Sequence, residues 1–319
     1  MNALLTGTVD LHCHSYASPD AAGLPDEIAR LFRASGFRAF SMTEHNSILS
    51  LETARAAAAE NGLEYVPGVE IGAEVDDPDL HDGSGVHILG YDFEVTPALR
   101  KLLAGDPGRV GGPGGYLEMM RARGMVDIRE EAWRARVRLR FGDTQVAAWP
   151  GVGREVLGQL MQERGVLSVP VDCGRETAAT SRSVELRRQA MVAIMGSLRP
   201  PWKNEAAAGA GEVCRILRAA GAVVILAHPG SGRREPCEYE RRRINRWLDL
   251  HVDGVEVYHH RNSPAYRHML LEIVLERNRP YTGGGDRHGY GAEGHVSEAP
   301  YRCLELLRAA RRRPTRRPR

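Results

Sequence analysis

Several stretches of this 319-residue chain end an apolar run on a histidine or a carboxylate. The first is Val9-Asp10-Leu11-His12-Cys13-His14-Ser15. On a strand, residues i and i+2 point to the same side, so His12 and His14 converge while Cys13 faces away. The theme recurs in Thr43-Glu44-His45-Asn46, Gly68-Val69-Glu70, Val86-His87-Ile88, Ala227-His228-Pro229 and Gly284-Gly285-Asp286-Arg287-His288. Mixed imidazole and carboxylate donors suit zinc, manganese or iron. A carboxylate shared by two such cations holds them about 3.5–4 Å apart, where the pair lowers the pKa of a shared water and clamps a phosphoryl oxygen.

The elements that must carry these residues alternate. Short apolar strands are expected at residues 8–11, 37–42, 64–69, 85–91, 222–226, 253–258 and 280–282. Helices are expected at 25–34, 50–61, 212–220 and 264–277. Pro25 with Asp26 and Glu27 opens the first helix, and Gly36 stops it. This alternation predicts βα units and a parallel sheet. Between residues 96 and 211 the rhythm changes. Gly and Pro crowd 105–115, which reads as a flexible loop, and helical patterns follow at 118–123, 130–138, 154–164 and 184–195. We read this segment as a mostly helical insertion.

Composition narrows the class. Net charge is +2, so no overall field favours nucleic acid or a membrane surface. The five cysteines include no C-x-x-C pair, which argues against a disulfide framework or a zinc ribbon and fits a reducing cytoplasm. No stretch approaches the roughly 20 apolar residues of a membrane span. The first strand begins almost at once, leaving no room for a signal peptide. Residues 311–319 read as a basic tail without fixed structure.

The motifs D-L-H-C-H-S, T-E-H-N, G-V-E, V-H-I-L-G-Y, A-H-P and G-G-D-R-H-G follow one another in an order that resembles the PHP (polymerase and histidinol phosphatase) domain family. They span residues 9–95 and 212–290. The resemblance implies a distorted (β/α)7 barrel with its metals at the C-terminal ends of the strands. It also implies three metal positions: His12, His14, Glu70 and Asp286 at the first; Glu70, His87 and His228 at the second; Asp20, His45 and His288 at the third. Glu44 stands where the family usually has Asp, and Gly284-Gly285-Asp286-Arg287-His288 replaces the usual G-S-D-F-H.

The expected organisation is a first barrel part over 1–95, a helical cap over 96–211, a second barrel part over 212–300 and a helix end with basic tail over 301–319. The expected activity is metal-dependent hydrolysis of a phosphomonoester, of a nucleotide or another small phosphorylated metabolite. Glu70, Asp286 and His228 are the catalytic candidates, with two or three divalent Mn, Fe or Zn ions. His259, His260, Arg261 and Arg287 are candidate phosphate contacts, because an arginine fork matches phosphate oxygens. The insertion resembles, in position, that of a family branch which hydrolyses nucleotide 3′,5′-bisphosphates and trims RNA from the 5′ end. Short RNA is therefore a further candidate substrate, although that branch's R-P-H signature has no counterpart here. Stable DNA or membrane binding is not expected. The alternatives are a non-catalytic scaffold module and a metal-dependent hydrolase of a C–N or ester bond.

Overall fold

The computed structural model describes residues 8–104, 135 and 208–311, apart from 16, 19, 20, 22, 76, 78, 79, 81–84, 232–234 and 289–296. The described residues build two sheets. In the first, β1 (Thr8–Cys13) lies between β2 (Phe37–Met42) and β9 (Ala299–Pro300), and β3 (Glu64–Tyr65) flanks β2. The second runs in the order β4 (Gly68–Ala73), β5 (Val86–Tyr91), β6 (Val223–Leu226), β7 (Gly254–Tyr258) and β8 (Tyr281–Gly283). Helices α1 (Pro25–Ala34) and α2 (Leu51–Glu60) cover the first sheet. Helices α3 (Pro97–Ala104), α4 (Ala210–Ala219), α5 (Glu238–Leu250) and α6 (Pro264–Glu276) cover the second.

Local chemistry explains the ends of α1. Pro25 sits in the first turn with Asp26 and Glu27, and the Glu27 carboxylate accepts the Leu24 amide at 3.1 Å. Gly36 then takes φ +79°, where a side chain would be strained.

Between the sheets lies a second apolar core. Val9 and Leu11 of β1 meet Leu89 and Tyr91 of β5 and Ile225 of β6 there, and α7 (Arg302–Arg311) caps it with Cys303, Leu304 and Leu307. Tyr91 ties the sheets by donating its phenol proton to the Leu11 carbonyl at 2.7 Å. Residues 10–13 of β1 oppose only 40–42 of β2, so β1 carries a bulge. The extra residue lets His12 turn inward although Leu11 already does, and bulges of this kind re-aim side chains beside sites.

Among the described residues the sheets are joined not by a closed ladder but by two isolated bridges, Cys13 to Arg287 and His45 to Glu70. Each joins a first-sheet strand, or the loop just after one, to a partner in or beyond the second sheet. Around them the backbone pairs Asp286 N with His12 O, His14 N with Arg287 O, Glu70 N with Glu44 O, and Asn46 N with Glu70 O.

Four features differ from the sequence reading. The single strand expected over 64–69 is split at Pro67, which has no amide to donate, and there the chain crosses from β3 in one sheet to β4 in the other. The sheet is not wholly parallel. β5 runs antiparallel to both β4 and β6. Helix α5 has no counterpart in the sequence reading, because E-Y-E-R-R-R hides its apolar face of Ile244, Trp247 and Leu248. Finally, α3 and the start of α4 belong to the main core rather than to an insertion. Leu99 and Leu103 are buried there with Val213 and Leu217. The rest of the expected cap and the basic tail after Arg311 lie outside the described residues.

Candidate metal centre

The strand ends deliver their ligands to one carboxylate. Glu70 lies in β4 and is fully buried. Its Oε2 is 3.2 Å from His12 Nε2, 3.4 Å from His14 Nε2 and 3.0 Å from His45 Nδ1. Its Oε1 is 2.8 Å from His87 Nδ1 and 3.1 Å from His228 Nε2. Five imidazoles thus divide between its two oxygens. Asp286 reaches in from the loop after β8, with Oδ1 3.2 Å from His14 Nε2 and 3.5 Å from His12 Nε2. His288 completes the ring of ligands, its Nε2 3.3 Å from that of His45.

His87 sits near the start of β5 rather than at its end. The antiparallel direction of β5 accounts for this, placing its first residues beside the ends of β4 and β6. Three turns carrying ligands contain non-glycine residues at positive φ: Asn46 at 47°, His228 at 24° and Asp286 at 51°. Such conformations cost free energy and persist where surrounding contacts enforce them. Asn46 shows how, since its side-chain carbonyl accepts the Gly72 amide at 3.2 Å.

Behind the ligands stand groups that orient them. His12 Nδ1 lies 2.9 Å from Glu256 Oε1, and the other Glu256 oxygen accepts the His228 amide at 2.8 Å. Glu256 is fully buried in β7. Its neighbours Val255 and Val257 face the helices, so its own side chain enters the space between the sheets. A carboxylate inside an apolar strand was the signal that could have found it. The Asp10 carboxylate accepts the amides of His12 and Gly285, pinning β1 to the Asp286 loop. Burial pushes Asp10 up to about 6 despite those amides and the charges of His12 and Arg287.

The donor set fits divalent metals. Burial works against charge on Glu70, but the imidazoles of His12, His87 and His45 outweigh it and hold the carboxyl well below its ordinary range. Burial and the like charges of His288 and His45 bring His14 down to about 3, so it is neutral at physiological pH. Ionised carboxylates and neutral imidazoles are the forms that ligate; His12 departs from this, since despite its burial the charges of Glu256, Glu70 and Asp286 hold it well above its ordinary value. The buried His12 Nε2 and Glu70 Oε2 lack hydrogen-bond partners although they face each other, which is the pattern a bound cation would satisfy. Two sets of converging donor atoms stand out: His12, His14, Glu70 and Asp286, and His14, His45 and His288. A third comprises His45, Glu70 and His87. Asp20, expected beside His45 and His288, lies outside the described residues.

The candidate phosphate contacts separate into two kinds. Arg261 is about half exposed, with its guanidinium 3.6 Å from Asp286 Oδ2, at the edge of the centre. His260 is exposed beside it, its ring 4.3 Å from that of His259. His259 itself is buried. Its Nδ1 accepts the Arg261 amide at 3.1 Å, which leaves the proton on Nε2, facing Asp286 Oδ2 at 3.5 Å. That geometry suits orienting Asp286 better than meeting a substrate. Arg287 is corrected outright. It is only 5% exposed, and its charge acts on Asp10 and Cys13 instead of the mouth. Alternation explains this, because Asp286 and His288 turn into the site and the residue between them turns away.

Comparison with known proteins agrees with this architecture. A 5′-3′ exoribonuclease of Haemophilus influenzae is 26% identical over 285 residues, covering 89% of this chain and 91% of its own. Among solved structures, a protein of Bifidobacterium adolescentis named for a metal-dependent phosphoesterase superposes with a TM-score of 0.66 at 20% identity, over 97% of this chain and 98% of its own. An amidohydrolase of Chromobacterium violaceum, solved with sulfate and no metal, gives a TM-score of 0.63 at 20% identity, over 95% of this chain and 96% of its own. At that identity the two structures speak for the fold. The family model of the PHP domain matches residues 10–138, so this segment, whose strands carry His12, Glu70 and His87 and lead into His14 and His45, belongs to the PHP domain family.

Proposed function

We propose that the protein is a metal-dependent phosphoesterase that hydrolyses a phosphate ester of a nucleotide or another small phosphorylated metabolite, with short RNA in its range. The observation that carries this reading is Glu70, whose two oxygens each face a separate group of imidazoles. A carboxylate so placed is built to bridge two cations. Divalent metals bound there would supply an activated water and neutralise charge on the phosphoryl group.

The chain's own residues do the rest. Glu70, Asp286, His12 and His14 would hold one ion, and His87 and His228 would complete another with Glu70. His45 and His288, with His14 near both, would hold a third. Arg261 offers a cation at the edge where a phosphate oxygen would project, its fork held near Asp286. His259 keeps Asp286 turned toward the ligands. The name of the Haemophilus relative favours a nucleotide or an RNA 5′ end as the substrate.

The test is a screen of phosphomonoesters, phosphodiesters and amides with chelated protein to which manganese, iron or zinc is restored. Metal-dependent release of phosphate from a nucleotide is the expected result. In the same screen Arg261→Ala should raise KM for the phosphate ester by about 10- to 150-fold, since one charge-assisted contact contributes roughly 1.5–3 kcal/mol. Turnover of amides alone would overturn the reading in favour of C–N hydrolysis. Metal binding with no turnover of any class would favour a scaffold.

A further inference from the structure

Glu44 is fully enclosed yet touches none of the candidate ligands through its carboxylate. It sits in a cage of serines. Oε1 accepts from Ser15 Oγ at 2.5 Å and from Ser50 Oγ at 2.7 Å. Oε2 accepts from Ser18 Oγ at 2.5 Å and from the Ser15 amide at 3.1 Å. Ser18 is equally buried, and its oxygen has two further neighbours: the His45 amide at 2.9 Å and His14 Nδ1 at 3.2 Å.

A hydroxyl has one proton to give and two lone pairs to offer. The Ser18 proton goes to Glu44, whose two oxygens accept from every serine around them, the Ser15 amide included. One lone pair takes the His45 amide, which only donates. The remaining lone pair is what faces His14 Nδ1, so that nitrogen must carry the proton. Neutral His14 then presents a bare Nε2 to Glu70 Oε2 and Asp286 Oδ1, the position from which a metal would be ligated.

We infer that Glu44, acting through the Ser18 hydroxyl, fixes the tautomer of His14, and is a positioning residue of the metal centre. The inference rests on the metal-centre reading above. It gives the centre two separate orienting relays, Glu256 for His12 and the Glu44–Ser18 pair for His14. It also gives the longer side chain at this position a task, since one carboxylate meets serines from the loop after β1 and from the start of α2.

Glu44→Ala removes the acceptor of the Ser18 proton. The Ser18 hydroxyl is then free to turn its proton to His14 Nδ1. Nothing would then hold the imidazole proton on Nδ1 and away from the metal position. Ser18→Ala removes the relay altogether and leaves the tautomer unfixed.

The experiment measures Zn2+ affinity of the full chain by competition with a chromophoric chelator. It compares the unaltered protein, Glu44→Ala, Ser18→Ala and the double variant, each checked for folding by circular dichroism. The expected result is a loss of about tenfold or more in each single variant. The double variant should lose no more than Ser18→Ala alone, because Glu44 acts through Ser18. Single variants that bind Zn2+ within twofold of the unaltered protein would overturn the inference, and so would fully additive losses. Should Glu44→Ala fail to fold, Ser18→Ala decides by itself, with unchanged affinity as the overturning result. An unaltered protein that takes up no Zn2+ would overturn the metal-centre reading itself, a distinct outcome.

Discussion

At the scale of single residues, Glu70 concentrates the consequences. Both of its oxygens face imidazoles, so its removal disturbs every candidate ion position that includes it. Glu70→Ala should leave the fold assembled, lower the bound metal measured by elemental analysis, and reduce kcat by roughly a thousandfold or more. A variant with normal metal content and normal turnover would place the centre elsewhere. The histidines and carboxylates at strand ends were legible in the sequence because each follows an apolar run. Glu256 and Glu44 were not legible as orienting groups, because their roles depend on partners far along the chain. Glu256 meets His12 across 244 positions, and Glu44 meets Ser15 across 29.

At the scale of elements, closeness of backbones sets the geometry. The loop after β8 runs against β1 at Gly284, where an added Cβ would lie 2.4 Å from the His12 amide nitrogen. Nothing flexible can yield there, since the obstacle is backbone. Gly284→Ala should therefore push Asp286 away from His12 and His14. The expected result is a loss of about 1–3 kcal/mol in denaturant unfolding, typical of overpacking, together with weaker metal uptake. Unchanged stability and uptake would show that the loop can shift without cost. The same closeness recurs at Gly254, where a Cβ would stand 2.0 Å from the Pro280 carbonyl oxygen. The helix starts and stops, α1 above all, were readable from Pro, acidic and Gly signals. The direction of β5 was not, because an apolar run of alternating type looks the same in either direction.

At the scale of the whole molecule, the candidate centre lies on the seam between two sheets. The bridges Cys13–Arg287 and His45–Glu70 join those sheets, the first beside the ligands and the second at two of them. Ions held by His12, His14 and Asp286 on one side and by His45 and Glu70 on the other would bind across both joins. Metal should accordingly stabilise the fold, by about 2.7 kcal/mol when its free concentration is a hundred times Kd. Chelation should lower the melting temperature measured by differential scanning fluorimetry, and restored zinc or manganese should raise it again. A melting temperature indifferent to chelator would show that the seam holds without metal. Among the described residues no helix is long and apolar enough to cross a membrane.

The sequence by itself determined the local facts: which residues could ligate, that His12 and His14 would share a side while Cys13 faced away, and where most strands and helices begin and end. These follow from short-range causes, namely the two-residue period of a strand, the φ demanded of Gly36 and the missing amide of a proline. Only the tertiary structure decided which donors share an oxygen of Glu70, that a bulge turns His12 inward, that Arg287 lies beneath the site with Asp10, and that Glu256 and the Glu44–Ser18 pair orient the first two histidines. Those are distances between residues far apart in the chain. They are set by how two sheets pack and twist together, and no local period of the sequence encodes them.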